Sequence, residues 1–462
     1  MLDILIIGSG LSASSFLSKL SKKKRKIGIV SPSKLQTKNK EIDQNITEYI
    51  KKNLPPRYKK KNAISYIESY FIKNNIILDN QTSIFGYLDD GGVSNFWGGS
   101  CEFLEDKDIN FLNTENKNKL SKLFIKIYKE NNFVGQIGKF NKKNYEKKNK
   151  VFEKIISNYS NKQLKFFHNC SAQNWKTKKI LSPDSLLYNK KSIKNFNYFV
   201  NRIEKTKNGY QVYCENNKKQ IKLKTKKLIL AAGTISTTKL ICSMLNIKKS
   251  IRIFHNPMLF GFYLLKEKIT LDNFSSSKLA CKIFSNNSKK YSTVNFRSSN
   301  LTIKNKIFND FSFMKNFISK KLYKKLQNNF LFFNLYLDSN FGNINFKLGK
   351  NYRLHLKTNT RKNKMLKKEL LKQSNILFKH LLKKKIIYPF RLNLIPKTGH
   401  DNHYIGTIPI NGRDKILSLN EKCELKNHKN LFIVDGSAIP QNNSKFPTAI
   451  IIANAMRVGK LI

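Results

Sequence analysis

The sequence predicts an α/β fold in which a nucleotide-binding domain, discontinuous along the chain, interleaves with an α+β domain built on an antiparallel sheet. Three observations predict it. An apolar run at residues 2–7 leads into Gly8-Ser9-Gly10-Leu11-Ser12-Ala13 and then a helix-like stretch, the strand-turn-helix order of a dinucleotide fingerprint. Residues 290–356 read as strands parted by turn signals, such as Asp338-Ser339-Asn340 and Phe341-Gly342-Asn343. The 462 residues, 40% hydrophobic and 12% aromatic, suffice for one large or two medium cores of about 100–200 residues each.

Each residue of the fingerprint has its own task. Gly8 makes the tight turn, Gly10 lets the backbone approach a pyrophosphate, and Ala13 lets helix and strand pack closely. The helix start supplies N–H groups and a positive dipole end to phosphates. A second strand follows at Lys26-Ile27-Gly28-Ile29-Val30. At its end, where an acidic residue would take the ribose hydroxyls, stands Ser31-Pro32-Ser33. A serine offers one hydrogen bond in place of a carboxylate, so the site is weakened rather than abolished.

The next glycine-rich segment, Gly91-Gly92-Val93-Ser94-Asn95-Phe96-Trp97-Gly98-Gly99, is expected to be a loop whose backbone approaches something flat or phosphate-rich. Phe96 and Trp97 would serve equally as core aromatics. Between residues 104 and 159, Leu120, Leu123, Phe124 and Ile127 recur on one helical face. Phe199-Val200-Asn201-Arg202-Ile203 and Tyr210-Gln211-Val212-Tyr213 alternate as strands, and residues 235–245 read as a helix. Residues 365–382 form an amphipathic helix with Leu366, Leu370, Leu377 and Leu381 opposite a lysine-covered face. Core packing is the preferred reading of that stripe; weak association with an anionic membrane surface is the other.

Charge is the least ordinary property. There are 88 Lys+Arg against 29 Asp+Glu, a formal net charge of +59. Such a balance suggests nucleic acid or anionic membrane. Nearly all the excess is lysine, however, spread along the whole chain, whereas arginine is the residue suited to phosphate forks and base edges. A solvated lysine surface is therefore expected, with no specific nucleic-acid partner. The 6 cysteines stand far apart without a CxxC pair, so neither a metal site nor a disulfide framework is indicated. No apolar run reaches the roughly 18 residues of a membrane span. The first residues read as a strand rather than a leader, and a cytoplasmic location is the expectation.

Four blocks, at residues 8–13, 91–99, 228–236 and 430–457, together resemble the FAD-dependent glucose-methanol-choline (GMC) oxidoreductases. The second is similar to that family's GGxSxxWGG loop. Lys226-Lys227-Leu228-Ile229-Leu230-Ala231-Ala232-Gly233-Thr234 looks like its strand and AAG turn. Asn430-Leu431-Phe432-Ile433-Val434-Asp435-Gly436-Ser437-Ala438-Ile439-Pro440, followed by Pro447-Thr448 and a terminal helix through Arg457, resembles its NLxVxDxSxxP and NPTxTxxAxAxR segments. The resemblance implies a Rossmann-like FAD-binding domain from residues 1–105, 195–245 and 399–462, with a connecting and substrate-binding domain from 106–194 and 246–398. It implies FAD contacts at Gly8, Ser9, Gly10, Ser12 and Ala13, and at Gly92, Ser94, Asn95, Trp97, Gly98 and Gly99. Further contacts are implied at Ile203, Ala232, Gly233, Asp435, Gly436, Pro447 and Thr448.

Within Gly399-His400-Asp401-Asn402-His403-Tyr404-Ile405-Gly406-Thr407, His403 resembles the histidine of the family's HxxGT motif, which is the general base. Imidazole suits that task because its pKa lies near the working pH. His400 reads as structural or supporting, and His428 as surface. The chain departs from the family pattern at Phe446, where a His or Asn precedes Pro-Thr. Three ways out are open: Asn442, Asn443 or Lys445 substitutes, with Asn443 the assigned residue; His403 acts alone; or turnover is lost. The resemblance thus implies hydride transfer to FAD from a CH–OH group of a small polar alcohol or sugar derivative, with an electron acceptor that the sequence does not name. The alternative is a flavin-binding protein with impaired or no turnover.

Overall fold

A computed structural model describes residues 1–21, 25–32, 63–102, 104–130, 133–134, 158–168, 171–174, 179–183, 193–216, 219–267, 279–284, 291–297, 319, 329–342, 344–440 and 444–462. The first sheet runs in the order β7 (Ile193–Phe196), β2 (Ile27–Val30), β1 (Leu2–Ile7), β10 (Gln220–Leu230), β9 (Gly209–Glu215) and β8 (Phe199–Thr206), and β19 (Leu431–Ile433) also pairs with β10. Strands β7, β2, β1, β10 and β19 are parallel neighbours, while β10, β9 and β8 form an antiparallel meander. β10 joins the two halves. Its start, Gln220 to Thr225, pairs with β9, and its end, Leu228 to Leu230, pairs with β19. The centre of β1, Ile4 to Ile7, is buried, as a parallel strand covered on both faces must be.

Helix α1 (Leu11–Lys19) packs against the terminal helix α6 (Thr448–Leu461) so closely that a Cβ on Gly459 would stand 2.2 Å from the Phe16 carbonyl oxygen. Arg457 of α6 is 1% exposed. Its guanidinium donates to Asn454 Oδ1 at 2.8 and 3.1 Å and to Asn116 Oδ1 at 3.2 Å, on α3 (Thr114–Glu130). The buried face of α3 is the one carrying Leu120, Leu123, Phe124 and Ile127. Helix α2 (Ala63–Asn74) precedes β3 (Ile76–Leu78), and α4 (Thr234–Met244) follows β10.

A six-stranded antiparallel sheet has the order β18 (Ile387–Leu394), β12 (Met258–Leu265), β15 (Phe330–Tyr336), β14 (Tyr291–Arg297), β13 (Leu279–Phe284) and β5 (Leu164–His168). Helix α5 (Thr360–Lys383), capped by the Asn359 side chain accepting from the Lys362 N–H, covers one face of it. Its Leu366, Leu370, Leu377 and Leu381 share a core with Leu259, Tyr263, Leu331 and Phe333. The stripe read from the sequence therefore faces the sheet. A four-stranded sheet joins β11 (Ile251–Ile253), β16 (Ile344–Leu348), β17 (Leu354–Thr358) and β3, and a small pair joins β4 (Phe133–Val134) to β6 (Ser171–Asn174). The strand-rich stretch 290–356 thus feeds two sheets, not one. Asp338, whose carboxylate accepts from the Asn340 N–H, turns the chain at the break between β15 and β16. No helix among the described residues is long and apolar enough to cross a membrane.

Candidate active site

The carboxyl end of β1, the start of α1, the 91–97 segment and the turn after β10 surround a cavity of about 270 Å³. Crevices outside the carboxyl ends of parallel strands are where open α/β sheets bind ligands. Of the residues singled out in the sequence, Gly8, Ser9, Gly10, Ser12, Gly92, Ser94, Trp97, Ala232, Gly233 and Thr448 line this cavity. Gly8 has φ +106°, and a Cβ there would lie 2.3 Å from the Ala231 carbonyl oxygen. Gly8→Ala is therefore expected to destabilise the protein by about 2 kcal/mol or more, read by urea unfolding; wild-type stability would contradict the turn geometry.

The other residues lie around the cavity rather than on its wall. Ala13 is buried at the α1 interface, and Ile203 is buried within β8, whose neighbours Phe199, Val200 and Asn201 are the ones that reach the cavity. The Asn95 amide donates to the Asp90 carbonyl at 2.7 Å, and the Gly99 carbonyl accepts from the Ala172 N–H at 2.6 Å. Gly98 is half-buried between them. Asp435 is buried behind the glycine turn, where Oδ2 accepts from the Gly233 N–H at 3.0 Å and from the Thr237 hydroxyl, and Oδ1 accepts from the Ser437 N–H. Burial pushes its carboxyl up against the pull of those hydrogen bonds. Asp435 thus buttresses the turn that carries Gly233 and Thr234. Gly436 fits under Thr234, and Pro447 caps α6.

Two expectations about this region need correction. The 91–99 segment is not a plain loop: Gly92–Phe96 forms a 3-10 turn, entered through Gly91 and closed by the Ser94 hydroxyl donating to the Gly91 carbonyl. A turn this short needs only i→i+3 bonds, which the sequence pattern does not advertise. His428 is half-buried rather than on the surface, and burial lowers its pKa.

His403 is half-buried beside the cavity, one residue from Tyr404, which lines it. Its ring is tilted against Tyr336 at 5.5 Å and edge-on to Phe446 at 4.8 Å. Phe446, Tyr336 and Met258 form a small buried apolar cluster with Phe260 packed against it. Asp401 holds the His403 segment in place: Oδ1 accepts from the His403 N–H at 3.0 Å, and Oδ2 lies 2.7 Å from Nδ1 of the fully buried His255. Burial pushes the Asp401 carboxyl up, yet His255, His403 and their hydrogen bonds outweigh it and keep the carboxyl below its ordinary range. Sequence reasoning missed this His255–Asp401 pair; Asp401 stood inside the histidine block, but nothing marked its distant partner. His400 is half-buried, 3.5 Å from the Ser83 hydroxyl and edge-on to Phe260, and burial lowers its pKa.

Lys445 does not replace the missing polar partner. Its ammonium, in a side chain 3% exposed, is 2.5 Å from Asp108 Oδ2 and 3.2 Å from Glu105 Oε1. An ammonium so paired is occupied in anchoring the 444–448 segment, helped by the Ser444 hydroxyl at 2.7 Å from that of Thr293. Asn442 and Asn443 lie outside the described residues. Glu102, beyond the glycine segment, is 4% exposed, and both its carboxylate oxygens are buried with no hydrogen-bond partner among the described residues.

Residues 391–455 match the family model for GMC oxidoreductases, that of the carboxy-terminal domain. The fold is similar to that of pyridoxine 4-oxidase from Mesorbium loti, with a TM-score of 0.60 at 12% identity, over 100% of this chain and 99% of that one. No curated protein sequence matches the chain.

Proposed function

From a chain whose residues 391–455 match the GMC oxidoreductase family model and whose fold is similar to that of pyridoxine 4-oxidase, we propose an FAD-dependent oxidoreductase of that family that oxidises the CH–OH group of a small polar alcohol or sugar derivative. The observation that carries this reading is the juxtaposition of His403, oriented through Asp401, with a cavity walled by backbone from four separate segments. The wall suits a dinucleotide. A Cβ on Gly233 would meet nothing within 4 Å, so this glycine opens onto free space, while one on Gly92 or Gly10 would meet only ordinary contacts, at 3.9 and 3.5 Å. The first turn of α1 directs N–H groups to the same space. Gly8, Ser9, Gly10 and Ser12 would hold the phosphates, Val200 and its neighbours the adenine, and Gly92, Ser94 and Trp97 the ring system. Bound there, FAD supplies the acceptor for a hydride.

This chain's own residues supply the proton chemistry and the positioning. His403 takes the hydroxyl proton at a ring nitrogen, which makes the carbinol hydrogen transferable as hydride and leaves a carbonyl. Asp401 fixes the backbone at His403, and the rings of Tyr336 and Phe446 restrict where the imidazole can point. Phe446 also keeps water from the base on that side while offering the substrate oxygen no hydrogen bond. The similar fold of pyridoxine 4-oxidase, an enzyme named for oxidising pyridoxine, is in keeping with an oxidase.

The purified protein, reconstituted with FAD, is expected to show the visible absorption of bound flavin; its absence after reconstitution would sink the reading. A second reading, a flavin-binding protein without turnover, is favoured by Phe446 alone. Anaerobic mixing with a panel of alcohols and sugars separates the two, since a pure binder stays oxidised with every member.

A further inference from the structure

Lys239 sits on α4 with its side chain on the wall of the cavity. Its ammonium donates to the main-chain carbonyls of Asn74 at 2.8 Å and Lys73 at 3.4 Å, the last residues of α2. Carbonyls at a helix C-terminus stabilise a cation through the dipole, but they carry only partial charge. Among the described residues no carboxylate pairs with Lys239. The nearby Glu215 is held by Lys73 at 2.8 Å. Asp89, the carboxylate on the cavity wall, accepts from the Asp90 N–H at 2.8 Å and from the Tyr87 hydroxyl at 3.4 Å. An ammonium has three N–H donors, and two are used. Burial alone lowers its pKa to about 8, as desolvation of an uncompensated cation requires.

The same cavity lacks an acid where one is expected. Ser31, 8% exposed at the end of β2, has its hydroxyl 2.8 Å from that of Ser9. Ser9 Oγ in turn accepts from the Gly91 N–H at 3.0 Å. A neutral hydroxyl pair therefore occupies the ribose position, and the wall carries an unneutralised cation elsewhere. A buried charge in a cavity is stabilised most by a ligand of opposite charge.

We propose that Lys239 is a dinucleotide-binding residue, attracting the anionic diphosphate of the cofactor and so offsetting the carboxylate contact that Ser31 cannot make. The assignment rests on the flavin-enzyme reading above. It makes Lys239 a determinant of affinity for the adenosine diphosphate half and not for the reacting ring.

Full-length wild type, Lys239→Met and Lys239→Arg would be titrated calorimetrically with ADP, adenosine and FAD. Wild type is expected to bind ADP and FAD, and Lys239→Met to weaken both about tenfold or more, with adenosine affinity unchanged and the salt dependence of ADP binding reduced. Lys239→Arg should retain most of the affinity. Unchanged adenosine binding also certifies that the Met variant is folded. Equal ADP affinity in wild type and Lys239→Met would overturn the assignment while leaving the flavin reading intact. Loss of adenosine and ADP binding in equal proportion would overturn it too, marking Lys239 as structural. If wild type binds neither ADP nor FAD, the flavin reading fails and the assignment with it.

Discussion

Replacing His403 by Ala is expected to leave flavin content unchanged and to slow flavin bleaching by substrate about 10²–10⁴-fold, the range spanned by a positioned general base. The separation of the two effects follows from geometry. His403 contacts Tyr336 and Phe446, and Tyr404, not His403, lines the cavity. Stopped-flow reduction under anaerobic conditions reads the rate, and the visible spectrum reads the flavin. Full retention of the reduction rate would remove His403 as the base. The Asp401 hydrogen bond to the His403 N–H uses a main-chain group that His403→Ala retains.

Replacing Glu102 by Gln is expected to stabilise the protein at pH 8 and to leave it nearly unchanged at pH 4. Burial pushes the Glu102 carboxyl from its ordinary 4.5 up to about 7; Lys445 and Lys282 pull it down, and Asp108 and Glu105 add to the rise. Between those two pH values the folded chain keeps a proton that the unfolded chain has released. Stability is therefore fully present below pH 4.5 and lost as pH rises towards and through 7. A shift of this size corresponds to about 3 kcal/mol at most. Glutamine keeps the shape and cannot ionise, so that contribution to the pH dependence disappears. Denaturant unfolding at the two pH values checks it; parallel curves for wild type and Glu102→Gln would show that the carboxyl is solvated.

This site also bears on the loop that carries Phe446. Lys445 precedes it, and its neighbours Asp108 and Glu105 set the field that Glu102 experiences. Holding Glu102 protonated leaves Lys445 to two carboxylates instead of three, and its anchoring bond to Asp108 stays intact.

What could be read from the sequence was whatever depends on near neighbours. The turn at Gly8 demands a positive φ that the chain announces locally, and the Leu366, Leu370, Leu377 and Leu381 stripe repeats with the period of the helix it lies on. The α/β class followed from such signals, as did the strands around Phe199 and Tyr210. The division of residues 290–356 between two sheets did not, because strand period states which face is buried and not which strand is the neighbour. The electrostatics of the site were equally hidden. His255 meets Asp401 across 146 positions, Lys239 meets Asn74 across 165, and Lys445 meets Asp108 across 337. Read alone, each of these was one more polar residue in a chain of net charge +59. Local backbone geometry and hydrophobic period were determined by the sequence itself, since they act over one or two turns. Which charges are buried, and against what, was decided only by the tertiary structure, because desolvation and pairing depend on contacts that chain order does not encode.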